Sequence, residues 1–164
     1  PPLAVSRIAT FFGLLTGGLE ILNVALENLL PAVWHGAAIS IPLMLLPFLL
    51  WATAAALATR RTGKFRSGLL AGVLSAAFCM LAAVTAGFLV ELDLRPPSTA
   101  SVATWAEYLR SHWTDPRAFA IANTLDSGFT HLFFAPIVAA ILGSLGSGLT
   151  LLAMRRSNPM AQSH

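Results

Sequence analysis

Residues 8–30, IATFFGLLTGGLEILNVALENLL, decide the fold. Only Glu20 and Glu27 are charged in this stretch. A helix of that length rises about 34 Å, enough to cross a hydrocarbon layer of about 30 Å. The competing reading is a cleaved signal sequence, which has a shorter apolar region followed by a small-x-small cleavage site. Glu20 interrupts this run and no such site follows, so the expectation is a mature transmembrane helix.

Working outward, three more apolar stretches follow, at about 37–59, 67–90 and 116–154. The last has a polar N-terminal extension and reaches lipid depth near Leu132. None alternates in polarity as a transmembrane strand does. The 164 residues are 56% hydrophobic and 10% charged, with mean hydropathy +0.74. A soluble domain carries about a quarter charged residues, so the lipid bilayer must be the solvent for much of this chain. The expected fold is all-α: one integral membrane four-helix bundle over residues 1–164.

Lys and Arg placement gives an expected orientation. Arg7, Arg60, Arg61, Lys64, Arg66, Arg155 and Arg156 fall on one side, and Arg95, Arg110 and Arg117 on the other. Both termini are therefore expected in the cytoplasm, across a bacterial inner membrane. These charges set topology and touch anionic lipid; they form no nucleic-acid face. Cys79, the only cysteine, is expected as a small core residue.

The first outer loop is short, and Trp34 sits there at headgroup level. The second outer loop is expected to hold a short helix at about 100–113. Val102, Trp105, Ala106, Leu109 and Trp113 share one face of it, either lying on the membrane surface or covering the bundle mouth. Thr114-Asp115-Pro116 has the form of a helix start, with Pro at the first helical position.

Three sets of residues are candidates for function. Gly13, Thr16, Gly17, Glu20, Asn23 and Glu27 recur at three- and four-residue intervals and so share one face of the first helix. Within that face Glu20 and Asn23 are the candidates for an intramembrane polar or proton-carrying site, because a carboxyl is costly in hydrocarbon. Counting from the basic residues places Glu20 about 20 Å deep, at the level of Cys79 and Leu142, with Pro47 and Ser144 close by. The bland reading is a carboxyl that only holds helices together.

The second set, Glu27, His35, Asn123, Asp126, Thr130 and His131, gathers near the outer face. Its ligand chemistry would suit a metal, but its spacing matches no ligand signature, so a hydrogen-bonded outer rim is the reading. The third set consists of small residues at four-residue spacing: Gly13 and Gly17, Gly68 and Gly72, Gly143 and Ser147. These are read as helix-packing seams.

The run FFGLLTGGLE (11–20) resembles the opening helix of small four-helix bacterial membrane proteins. It is also similar to the helix that opens the membrane domain preceding some bacterial sulfatase-like proteins. ILGSLG (141–146) is similar to the Gly-rich last helix of small domain-of-unknown-function proteins. The resemblance implies topology and no activity.

No nucleophile motif or phosphate-binding loop occurs. The reading is therefore a non-enzymatic accessory subunit of a larger bacterial membrane complex, of an energy-converting kind (respiratory or photosynthetic). Its expected partners are other membrane subunits or further copies of itself. No cofactor is implied beyond a bound lipid or pigment. One alternative is a small proton-coupled transporter or channel using Glu20; another is a metal-dependent membrane enzyme at the outer rim.

Overall fold

A computed structural model describes residues 2–29, 37–92 and 107–157. Four helices account for nearly all of them: α1 (Pro2–Leu29), α2 (Ala37–Thr62), α3 (Phe65–Leu92) and α4 (Pro116–Ser157). Each is long and apolar enough to span a membrane. His35 and the first half of the expected 100–113 helix lie outside the described residues. Within that segment the structure gives one helical turn at 107–110.

All four helices extend past the hydropathy-based limits, for physical reasons that differ. Pro2 suits the first turn of α1, where its missing N–H breaks no hydrogen bond. Val5 and Ile8 are buried there with Phe12 against Ala54, Ala58 and Ala71, so Arg7 stands inside the helix rather than at its edge. At the other end of α2, Arg60 and Arg61 occupy the last turn, where cations favour the helix dipole. Gly63 then ends the helix in the left-handed conformation (φ 67°), its N–H donating to the Thr59 carbonyl at 2.7 Å. The expected 60–66 loop thus shrinks to Gly63 and Lys64. At the start of α4, the Arg117 N–H donates to the Asp115 carboxylate at 2.8 Å, an N-cap with Pro116 at the first helical position.

Prolines at 42, 47 and 136 sit inside helices. Each removes one backbone bond; of the three only Pro47 is fully buried among neighbouring helices, and Pro42 is exposed. Most hydroxyls in the spans are satisfied by their own helix. Thr16 donates to the Phe12 carbonyl at 2.8 Å, Thr53 to Leu49 at 2.7 Å, and Thr85 to Leu81 at 2.7 Å.

The helices pack around α3. It lies between α1 and α4, α2 closes the bundle by touching the other three, and α1 and α4 share no comparable interface. Two apolar clusters fill the interior. One joins α1, α2 and α3 through Val5, Ile8, Phe12, Ala54, Ala58 and Ala71. The other joins α2, α3 and α4 through Trp51, Ala76, Cys79, Met80, Ala135 and Ala139. Leucines, isoleucines and phenylalanines cover the outside, as lipid-facing helices require.

Candidate functional site

The glycines fix the axial register of the bundle. A Cβ at Gly13 would lie 2.7 Å from the Phe78 Cβ, and one at Gly17 would lie 2.9 Å from the Ala82 Cβ. Ser75 donates to the Ala9 carbonyl at 3.3 Å across the same seam. α1 and α3 therefore run in parallel, with Ala9 beside Ser75 and Gly17 beside Ala82. On the other flank of α3 the order is antiparallel. A Cβ at Gly87 would meet Thr124 at 3.4 Å, one at Gly128 would meet Val84 at 3.1 Å, and one at Gly143 would come within 3.8 Å of Leu69.

This register corrects the sequence-based depths. Extending the α1–α3 pairing by one turn sets Glu20 opposite Thr85, about 28 Å along a helix axis from Arg66. Glu20 thus lies toward the end of the bundle opposite the 60–66 turn. Cys79 is about 9 Å nearer that turn and packs with Ala135 and Ala139 rather than at the level of Leu142. Two features misled the counting: Arg7 stands about 10 Å inside the 60–66 level, and α4 runs on past that level to Ser157.

The polar face of α1 is turned onto α3. Thr16 and Gly17 are buried and Glu20 and Asn23 half-buried. The Cys79 thiol lies beside the Thr16 hydroxyl, one helical turn below Glu20 on α1. A helical side chain leans toward its own N-terminus, which carries the Glu20 carboxyl down toward Cys79. Glu20 and Asn23 are both engaged within the molecule.

The second set is distributed differently. Asn123, Asp126, Thr130 and His131 are exposed, together with Ser127. They recur at positions i, i+3, i+4, i+7 and i+8, so they form one stripe on α4 that points away from the bundle. The His131 Nδ1 lies 2.7 Å from the Ser127 carbonyl oxygen, a bond within the stripe itself. The register sets His131 about 22 Å and Asp126 about 30 Å from Arg66. At these levels the exposed neighbours are Phe129, Leu125, Leu81 and Leu89, with Thr85 bonded to its own helix, so the stripe crosses a mainly apolar belt. His35 and the Glu27 side chain lie outside the described residues. Among the described residues, no three His, Cys, Asp or Glu side chains converge as metal ligands would.

The third set lies in two tight seams. Gly13 and Gly17 admit α3, as described. Gly68 is closed in by the Thr59 and Ser147 hydroxyls and the Ala55 carbonyl, and Gly72 by the Trp51 carbonyl at 3.3 Å and Ala55. A Cβ at Gly143 would lie 3.5 Å from that of Ala55, and one at Gly146, adjacent to the pattern, 2.6 Å from the Ala52 carbonyl oxygen. The α2–α3–α4 seam is therefore built on close backbone approach.

Sequence reasoning passed over Trp51 and Thr59 in this seam and read Ser147 only as a small packing residue. Among the described residues, the Trp51 indole N–H and the Thr59 and Ser147 hydroxyls are buried without a hydrogen-bond partner. Trp51 is the largest of the fully buried side chains. A tryptophan near mid-span, far from the headgroup levels indoles favour, was the available signal. Thr59 was read as the last residue of the second span, beside Arg60 and Arg61, where a buried hydroxyl is not expected.

No family model, curated protein or solved structure matches the chain, so the likeness of its first and last helices to small bacterial membrane proteins rests on the residues quoted above.

Proposed function

We propose that the protein is a non-enzymatic integral subunit of a larger bacterial membrane complex, of an energy-converting kind, and that α4 carries the face its partner covers. The observation behind this reading is the outward polar stripe Asn123–Asp126–Ser127–Thr130–His131, flanked by exposed Phe129 and Leu125. Ionisable side chains at membrane depth almost always face a bundle interior, a cavity or another chain. This bundle's own interior lies on the opposite side of α4. A partner helix laid on the stripe removes both the polar groups and the surrounding phenylalanines from lipid.

The distribution of Lys and Arg supports a cytoplasmic membrane location with both termini inside. A transport pathway needs Glu20 and the α4 stripe to meet, yet they lie on opposite flanks of α3.

The test is purification from its native membrane in mild detergent, with identification of every polypeptide and small molecule retained. A companion polypeptide in fixed ratio is expected. Recovery of a folded, companion-free chain contradicts the subunit reading.

A further inference from the structure

The end of the bundle opposite the α4 stripe carries a second surface. Arg60, Arg61, Lys64 and Arg66 are all exposed around the two-residue turn at Gly63 and Lys64. Arg155 and Arg156 are exposed on the last turn of α4. They reach the same end because Ser147 of α4 already packs beside Gly68 at the start of α3. No Asp or Glu occurs in residues 1–19, 28–90 or 127–164, so no acidic side chain neutralises these six cations.

Exposed apolar side chains border the charges on both adjoining elements: Phe65 and Leu70 on α3, Leu149 and Leu152 on α4. Next to Leu149 on α4, Gly148 has open space where a side chain would stand, with nothing within 4 Å. A soluble polyanion matches the cations and leaves this ridge bare. A molecule with a phosphate joined to acyl chains matches both.

We propose that this end is a binding surface for anionic phospholipid. The 60–66 turn and Arg155–Arg156 hold the headgroup phosphate, and the acyl chains lie along Leu70 and Leu149. Guanidinium groups suit this role, since their fixed fork of donors pairs phosphate oxygens two at a time. Basic clusters at the membrane boundary of a helix bundle attract anionic headgroups by the same electrostatics. The proposal is independent of any partner on α4.

The experiment uses the full purified chain in nanodiscs of mixed phosphatidylglycerol and phosphatidylcholine, with retained lipid counted by native mass spectrometry. The expected result is retention enriched in phosphatidylglycerol. That enrichment should fall about five-fold for each charge removed in R60Q/R61Q/K64Q/R66Q and in R155Q/R156Q. The variant R110Q/R117Q, outside the basic end, should retain lipid as wild type does. If the basic-end variants fail to fold, a salt series on the wild-type chain decides. Enrichment lost between about 0.1 and 0.5 M salt supports the surface, and salt-insensitive enrichment overturns it. Equal retention of the two lipids, equal loss in R110Q/R117Q, or displacement by inorganic phosphate alone also overturns it.

Discussion

Gly17 of α1 and Ala82 of α3 stand so close that a Cβ at position 17 would lie 2.9 Å from the Ala82 methyl. The next residue, Gly18, has nothing within 4 Å of its own Cβ position. In lipid, where apolar side chains gain little by meeting each other rather than acyl tails, such approach is what holds helices together. Gly17→Val should therefore destabilise the bundle by about 1–3 kcal/mol through overpacking. Gly18→Val should stay within about 0.5 kcal/mol of wild type. Reversible unfolding in mixed micelles, following helicity, measures both.

The α2–α3–α4 seam makes a parallel prediction. A methyl on Gly68 meets the Thr59 and Ser147 hydroxyls and the Ala55 carbonyl, and a backbone carbonyl cannot rotate away. Gly68→Ala should cost about 1–3 kcal/mol. Gly148→Ala, in open space on the same face of the fold, should be neutral or slightly stabilising because Ala favours helix over Gly. Melting temperatures in one detergent separate the two.

Buried hydroxyls should divide according to whether they are satisfied. Ser75 donates to the Ala71 carbonyl at 2.7 Å and reaches the Ala9 carbonyl of α1 at 3.3 Å. Ser75→Ala should cost about 0.5–1 kcal/mol. Thr59 is buried without a partner among the described residues, so the isosteric Thr59→Val should be neutral or stabilising. A Thr59→Val loss as large as that of Ser75→Ala would show that the hydroxyl is satisfied after all.

Glu20 tests whether the polar face of α1 packs or conducts. Packed against α3 near Thr16 and Cys79, it should tolerate Glu20→Gln within about 0.5 kcal/mol, while Glu20→Leu loses about 1 kcal/mol of helix association. Proton flux into proteoliposomes should be the same for wild type and Glu20→Leu. Flux that disappears in the Leu variant while the fold survives would restore the transport reading.

The spans were legible because hydropathy over some twenty residues is a collective property that no single side chain overturns. Their ends were not, because Arg7, Arg60 and Arg61 were taken as edges. A long basic side chain can extend its charge to water from inside a helix, so it marks a boundary only loosely. The depth of Glu20 inherited that error. Periodicity showed that Gly13, Gly17 and Glu20 share a face, but only contact with Phe78 and Ala82 identifies α3 as the neighbour. The same periodicity places Asp126 and Thr130 together without saying whether they face inward. Their exposure follows from Gly128, which turns the opposite side of α4 onto Val84.

Photo-crosslinking along α4 bears most directly on the docking face. With a photoreactive residue at position 123, 126 or 130, illumination of native membranes should join the chain to one discrete polypeptide. The same residue at 141, 145 or 149 should label lipid alone. Lipid labelling at all six positions would mean that α4 has no protein neighbour and would contradict the account.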